Sequence, residues 1–192
     1  MKLADITDLQ ESSGYSLQGS FTPDLVFSKL WLINQLAKIV DRVDVMYVLG
    51  SWYGNLSLLL RRFPLVTVDK IINIDTNQQF LRTGQQILNQ LKYGNIEHMA
   101  KNANDIDYRQ LTDRSAVVNT SLTDMSGTEW FENIPPGTLV VLQARDQDPG
   151  NQFDSVQDIQ AKFPLDQVLY QGTMTLRDPQ TQYHRFMIIG IR

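Results

Sequence analysis

The sequence predicts an α/β fold, a three-layer sandwich with a mostly parallel seven-stranded sheet that ends in an antiparallel hairpin. Five short apolar runs are mostly separated by helical patterns, which is typical of a parallel sheet. A β-rich hairpin pattern closes the chain, and a helical segment precedes the first strand. We expect a single domain over residues 1–192, with an N-terminal lid and helix at 1–40 and an α/β core at 43–192.

The composition is that of a globular protein and argues against several functional classes. The chain has 192 residues, of which 42% are hydrophobic and 20% charged, as in globular domains. A net charge of −4 argues against a strongly basic nucleic-acid binder. With no cysteine and only His98 and His184, no metal site is predicted. The N-terminus lacks the apolar stretch of a signal peptide, and no apolar run is long enough to span a membrane. We therefore expect a cytoplasmic protein without a membrane partner.

The first helix is predicted over Pro23–Val40. Thr22 is a candidate N-cap, Pro23 suits the first helical position, and Asp24 suits the positive end of a helix. The helix carries only a narrow polar stripe, so we expect it to be mostly buried.

Continuous apolar runs predict five buried parallel strands, because such runs are buried on both faces of a sheet. They are Val45–Leu49, Lys70–Ile74, Ile96–Ala100, Ala116–Asn119 and Leu139–Leu142.

Three further helices are predicted. Leu56–Phe63 ends in two arginines, and Asn77–Leu91 has a clear amphipathic pattern with Thr76 as its expected cap. A capping-box pattern, Ser155-x-x-Asp158, predicts a helix over Val156–Phe163. Helical turns are expected at Ile106–Leu111 and at Trp130–Phe131.

The last two β-rich segments predict an antiparallel hairpin. They are Gln167–Leu176 and Tyr183–Ile191, and the turn-forming sequence Arg177-Asp178-Pro179-Gln180 separates them.

The loop after the first strand is the first candidate ligand site, because open parallel sheets bind ligands beyond the C-terminal ends of their strands. It reads Gly50-Ser51-Trp52-Tyr53-Gly54 and opens a helix. Glycines allow a close approach of the backbone, and a helix N-terminus offers N–H groups to an anion. A tight strand-to-helix turn is the structural alternative.

Asp75 ends the second strand, 21 residues past Gly54. A carboxylate at this position can accept both hydroxyls of a ribose, and the spacing is typical of adenosine-containing ligands. The alternative is that Asp75 belongs to the cap of the next helix. Together the loop, the strand and the acid favour a nucleoside-like ligand.

The order of these motifs resembles class I S-adenosylmethionine-dependent methyltransferases over about Val43–Arg192. In that family a hydrophobic strand ends in an acid and leads into Gly-x-Gly-x-Gly. Val48-Leu49-Gly50-Ser51-Trp52-Tyr53-Gly54 keeps the first and last glycines, with Val48 at the acid and Trp52 at the middle glycine. The resemblance implies a Rossmann-like core, a terminal hairpin and S-adenosyl-L-methionine as cofactor.

The resemblance also implies which residues meet the cofactor. Asn102-Ala103 corresponds to the motif that contacts adenine, with Asp105 as an alternative, and Asn119-Thr120-Ser121 to the motif that frames the methionine part. The cofactor-binding set so implied is Gly50, Ser51, Trp52, Tyr53, Gly54, Asp75, Thr76, Asn102, Ala103, Asp105 and Thr120. We expect one of the two loop aromatics to lie in the core and the other at the site.

Two residues are candidates for catalysis. Asp124 follows the fourth strand and could act as general base for a hydroxyl acceptor, and Asn119 could orient an amine acceptor. Both also fit ordinary loop roles. The acceptor is not identified by the sequence, and neither is the oligomeric state.

Two alternatives stay open. The altered glycine loop could mark a relative that binds the cofactor or a protein partner without transferring a methyl group. A nicotinamide-dependent oxidoreductase is disfavoured, because the second glycine of its motif is missing and the terminal hairpin is not expected.

Overall fold

The computed structural model describes residues 19–146 and 153–192. It contains one seven-stranded sheet with the order β3-β2-β1-β4-β5-β7-β6. The strands are β1 (Arg42–Leu49), β2 (Thr67–Asp75), β3 (Ile96–Ala100), β4 (Ser115–Asn119), β5 (Leu139–Arg145), β6 (Gln167–Arg177) and β7 (Gln182–Ile191). β1 to β5 are parallel to one another, and β7 lies antiparallel between β5 and β6. The predicted fold class is confirmed.

Helices cover both faces of the sheet. They are α1 (Pro23–Leu36), α2 (Asn55–Arg62), α3 (Gln78–Gln90), α4 (Glu129–Glu132) and α5 (Val156–Lys162), with short 3₁₀ turns at Ala103–Asp105, Tyr108–Gln110 and Leu122–Asp124. Each face has its own apolar core. One contains residues of α1, α2 and α3, and the other contains residues of α4, α5 and the 3₁₀ turns. No helix in these ranges is both long and apolar enough to cross a membrane.

Strand β1 shows why the sheet is buried on both faces. Met46 and Val48 point into the core beneath α1 and α2, whereas Tyr47 and Leu49 point into the opposite core. The strand begins at Arg42, three residues before the predicted start, because Arg42 and Val43 already pair with Thr67 and Val68 of β2. β2 likewise begins earlier than predicted, at Thr67, through the same pairs.

Some element boundaries differ from the prediction. Helix α1 ends at Leu36 rather than Val40, because the chain leaves the helix in turns whose N–H groups still bond to the Leu36 carbonyl. Thr22 stands at the N-cap but makes no side-chain cap bond. The capping box at Ser155 is present, with the Asp158 N–H donating to Ser155 Oγ at 3.2 Å.

The lid predicted for residues 1–40 falls in part on residues 1–18, which lie outside the described residues. Its described part is α1, which lies on the sheet against β6 and β7. The Tyr183 hydroxyl donates a 2.6 Å hydrogen bond to Asp24, and Trp31 Nε1 donates one of 3.2 Å to Tyr170. Both bonds connect the helix to the terminal hairpin.

Candidate functional site

The loop between β1 and α2 is held against the end of β2. The Ser51 N–H donates to the Ile74 carbonyl at 3.0 Å, and the Trp52 N–H donates to Asp75 Oδ2 at 2.8 Å. Trp52 has a φ of +54°, so a bulky residue adopts a left-handed conformation at the position of the missing glycine. The carboxylate of Asp75 thus shapes the loop.

Gly50 is required at its position for a steric reason. Its φ is +58°, and a Cβ there would lie 2.8 Å from Cβ of Ser121 in the loop after β4. The two loops therefore approach each other closely above the sheet, and only glycine allows this contact.

The cap of α3 differs from the prediction. Asn77, not Thr76, is the N-cap, and its side chain accepts from the Gln79 N–H at 3.0 Å. Asp75 Oδ1 accepts from the Asn77 N–H at 2.8 Å and so places that cap. Thr76 lies instead on the wall of the neighbouring cavity.

A cavity of about 430 Å³ opens at the C-terminal ends of the parallel strands, within the range of small-molecule sites. Six residues of the implied cofactor-binding set line it, together with the catalytic candidate Asp124: Gly50, Trp52, Asp75, Thr76, Asn102 and Ala103. Ser121, from the implied motif after β4, also lines it. The remaining lining residues were not singled out by the sequence analysis, namely Ile74, Phe80, Lys101, Asn104, Met125 and Ser126.

The lining suits a ligand with one planar apolar part and one polar edge. Ile74, Phe80 and Ala103 supply apolar surface, and Asp75 supplies a carboxylate. Asn102 lies at the mouth, where its Oδ1 accepts from the Asn104 N–H at 3.0 Å. Asp105 is exposed and does not line the cavity.

The two loop aromatics take different positions. Trp52 lines the cavity, whereas Tyr53 packs against the core beneath α1 to α3. Their rings and that of Phe80 form one cluster, with centroids 4.9 to 5.9 Å apart. Gly54 has a φ of +79°, and as the N-cap of α2 it lines neither cavity.

A second cavity of about 130 Å³ adjoins the first, with Gly50, Trp52, Ser121 and Asp124 lining both. Its other walls come from α1, α2 and the ends of β1, β4 and β7. Ser51 and Thr120, implied by the resemblance, belong to this smaller cavity. Its remaining lining residues are Leu25, Lys29, Val48, Asn55, Leu56 and Arg185.

Lys29 is a strongly perturbed charged group at the site. Burial, and to a smaller extent the positive charge of Arg185, lower its pKa to about 7, while Asp24 acts in the opposite direction. The sequence analysis missed Lys29 and Arg185. The available signal was a cation on a nearly apolar helix, but its neighbour on β7 is 156 residues away and only the fold brings the two together.

The two candidates for catalysis are placed differently. Asp124 borders both cavities. Asn119 is fully buried behind them, where its Oδ1 accepts from the Ser121 N–H at 2.9 Å and its Nδ2 lies 3.0 Å from Met125 Sδ. Asn119 therefore positions the loop after β4 without reaching either cavity. No cluster of three or more potential metal ligands occurs in residues 19–146 and 153–192.

No protein-family model and no curated protein sequence matches the chain. Solved structures do match. NodS, an N-methyltransferase from Bradyrhizobium japonicum crystallised with S-adenosyl-homocysteine, has 11% identity and a TM-score of 0.66 over 96% of this chain and 97% of NodS.

Two more solved structures have similar folds. TrmK from M. capricolum, also crystallised with S-adenosyl-homocysteine, has 13% identity and a TM-score of 0.57, covering 82% of this chain and 67% of TrmK. An rRNA methylase from Streptococcus thermophilus has 17% identity and a TM-score of 0.54, covering 84% and 95%. With the observed strand order, these likenesses show that the chain has the class I methyltransferase fold.

Proposed function

We propose that the chain is an S-adenosyl-L-methionine-dependent methyltransferase. The observation that carries the proposal is the cavity of about 430 Å³ at the C-terminal ends of β1, β2 and β4, which is lined by the glycine loop and by Asp75. Two proteins with this fold, NodS and TrmK, are crystallised with the product of that cofactor in place.

The residues present fit this cofactor. The Asp75 carboxylate would accept the hydroxyls of the ribose, and the adenine would lie among Ile74, Phe80 and Ala103 near Asn102. The bound cofactor supplies an activated methyl group, so the protein needs neither a metal nor a nucleophilic side chain. Its own residues hold the acceptor in line and exclude water, which accounts for much of the rate of such a transfer.

Asp124 is the proposed general base for an acceptor that loses a proton. It stands where the two cavities meet, within the reach of groups bound in either one. Asn119, proposed from the sequence to orient an amine, would act only through the loop that it anchors by its bond to Ser121.

The methyl acceptor is left open by this proposal. The related folds include an N-methyltransferase and an rRNA methylase, so both small molecules and RNA are candidates. A net charge of −4 makes unaided binding of long nucleic acid unfavourable. We further propose a single catalytic domain in the cytoplasm, with the core at 43–192 and the 1–40 segment covering the site.

Two observations bear on the alternatives, a protein that has lost methyl transfer and a nicotinamide-dependent oxidoreductase. A protein that has lost cofactor binding would have its pocket filled by Trp52, yet that side chain lies at the wall of an open cavity. An oxidoreductase of the nicotinamide class would not require an antiparallel β7 between β5 and β6.

Calorimetric titration with S-adenosylmethionine, S-adenosylhomocysteine and NAD tests the proposal. We expect dissociation constants in the micromolar range for the first two and no binding of NAD. Binding of NAD alone would favour the oxidoreductase. If none of the three binds, the cavity does not serve this cofactor, and the search turns to a protein partner.

A further inference from the structure

The two edges of the sheet differ in how well they are protected from pairing with another chain. β3 and β6 are the outer strands, and no further strand of the described residues pairs with their free sides. β3 has only five residues, and its exposed Glu97 forms a 2.9 Å ion pair with Lys70 of β2. Short edge strands with charged side chains resist pairing, so the β3 edge is protected.

The β6 edge lacks most of this protection. The strand has 11 residues, and those from Gln167 to Leu176 include no charged side chain and no proline. A register shift between Val168 and Tyr170 interrupts its pairing with β7 near the start. The regular part that follows is still longer than the whole of β3. Such an edge presents a row of unpaired N–H and C=O groups to which another strand can add.

Exposed apolar side chains also lie at this edge. Among the described residues three large apolar side chains are exposed, and two of them are Leu169 of β6, at 39%, and Phe27 of α1, at 49%. Phe27 precedes Trp31 by one helical turn, and the Trp31 ring packs edge-on against Tyr170 of β6 with centroids 6.3 Å apart. Residues four apart are neighbours on a helix surface, so Phe27 lies on the part of α1 that is next to β6.

The charges at the two ends of β6 indicate which kind of strand fits it. Asp166 immediately precedes the strand, and Arg177 is its last residue. Both are exposed, and neither forms an ion pair with another described residue. The strand is therefore neutral along its length, with a negative charge before its start and a positive charge at its end.

A strand with this charge pattern is complementary to an antiparallel copy of itself. Antiparallel pairing about a two-fold axis places Asp166 beside Arg177 of the partner subunit, and symmetry repeats the contact at the other end. A parallel pair would place like charges together, which is unfavourable. Because the two ends must meet, the axis passes near Gly172, at the middle of the strand.

We propose that the protein forms a two-fold symmetric dimer in which β6 pairs antiparallel with β6 of a second copy. The two seven-stranded sheets then form one continuous sheet. The larger cavity lies at the ends of β1, β2 and β4, and β6 is three positions beyond β4 in the sheet. The dimer therefore leaves that cavity open, and the inference does not depend on the proposed function.

Sedimentation velocity of the full chain over about 1–200 μM measures the association. We expect wild type to change from monomer to dimer within this range. Thr173→Lys places a charge near the axis, where both copies carry it, and should weaken the dimer at least about tenfold. Wild type that stays monomeric, or a dimer that is equally stable in Thr173→Lys, would overturn the proposal.

Thr67→Lys is the matched control. Thr67 is an exposed threonine at the start of β2, and β2 lies near the opposite edge of the sheet. The substitution adds the same charge to the chain without placing it at the β6 edge, so the dimer should be as stable as in wild type. Equal weakening in both variants would mean that net charge, and not the β6 edge, controls the association.

Exchanging the two end charges tests the direction of pairing. Asp166→Lys alone brings like charges together at both ends and should weaken the dimer roughly three- to tenfold at low salt. Asp166→Lys combined with Arg177→Glu exchanges the charges and should restore the dimer. If the double variant is weaker than Asp166→Lys alone, the strands are not antiparallel and the proposal is wrong.

Amide hydrogen exchange locates the interface in wild type, so this measurement stands even if Thr173→Lys does not fold. Amides of Tyr170–Leu176 should exchange more slowly at about 200 μM than at about 1 μM, and those of β3 should be unchanged. A dimer that forms without added protection of β6 uses another surface, which contradicts the proposal. Protection of β6 that is the same at both concentrations also contradicts it, because a second copy is then not the occupant.

Discussion

Trp52 stands at the middle glycine of the Gly-x-Gly-x-Gly motif that the loop resembles, and its backbone shows the consequence. At φ +54° a side chain with a Cβ is strained, by about 1–2 kcal/mol. Two contacts offset the strain, since the Trp52 N–H donates to Asp75 and the ring packs edge-on against Phe80 with centroids 5.9 Å apart. The loop keeps its course without the second glycine because Asp75 holds it.

We therefore predict that Asp75→Ala weakens binding of S-adenosylhomocysteine. The variant loses the carboxylate that would accept the ribose hydroxyls, at roughly 1.5–3 kcal/mol for each lost bond, and it also releases the Trp52 N–H. Calorimetric titration measures the change.

Asp105→Ala is the matched control for this experiment. Asp105 is an exposed acid two residues past Ala103 and lies outside the cavity, so its removal should leave the affinity unchanged. Unaltered affinity in Asp75→Ala would remove Asp75 from the site. A loss of affinity only in Asp105→Ala would mean that Asp105, and not Asp75, binds the cofactor.

At the scale of elements, helix α3 supports the glycine loop from behind. A Cβ on Gly84 would lie 2.5 Å from the carbonyl oxygen of Tyr53, so the helix backbone packs directly on the loop. The sequence shows Gly84 only as a member of the apolar stripe of α3, and the contact with the loop depends on how the helix lies on the sheet.

Gly84→Ala should destabilise the fold and weaken cofactor binding together. Overpacking costs roughly 1–3 kcal/mol, more than the gain of up to about 1 kcal/mol in helix propensity. Urea unfolding and S-adenosylhomocysteine titration measure the two effects. Gly94→Ala is the control, since open space surrounds that position. Equal stability of Gly84→Ala and wild type would show that the loop moves aside freely.

The connection between α1 and the hairpin is a second contact between elements. Tyr183→Phe leaves the buried carboxylate of Asp24 without its 2.6 Å donor, so we predict a loss of about 1–3 kcal/mol in the free energy of unfolding. Tyr170→Phe removes the hydroxyl of the half-buried pair with Trp31 and should cost less. If Tyr170→Phe lost more free energy of unfolding than Tyr183→Phe, the bond to Trp31 would be the more important of the two.

At the scale of the whole molecule, a partly buried histidine links stability to pH. His98 of β3 has no hydrogen-bond partner at either ring nitrogen, and burial lowers its pKa from 6.5 to about 4. The unfolded chain therefore binds a proton between these values while the folded chain does not. The contribution of His98 to the free energy of unfolding is fully present above pH 6.5 and is lost as the pH falls towards 4.

We predict that this histidine contributes about 1–2 kcal/mol to the loss of stability in acid, with allowance for the partial exposure of the residue. His98→Gln should flatten the dependence of the free energy of unfolding on pH between these limits. His184→Gln, which changes an exposed histidine, should keep the slope. An unchanged slope in His98→Gln would assign the acid sensitivity to other groups.

Much of the molecule was predictable from local patterns. Every predicted strand and main helix is present, since apolar runs and amphipathic periods reflect burial that a parallel sheet imposes on each element. The ends of the elements were predicted less accurately, as at Leu36 and Arg42, because they depend on contacts with neighbouring elements. The cap at Asn77 rather than Thr76 follows from the hydrogen bond of its N–H to Asp75, which the residue types alone do not show.

The sequence by itself determined the fold class, the loop at Gly50 and the acid at Asp75, since periodicity and spacing along the chain encode them. The tertiary structure alone decided which side chains share a cavity. Lys29 and Arg185 meet because β7 inserts between β5 and β6 beneath α1, and Tyr53 turns into the core while Trp52 faces the cavity. Contacts between residues far apart in the chain arise from packing, and no local pattern encodes them.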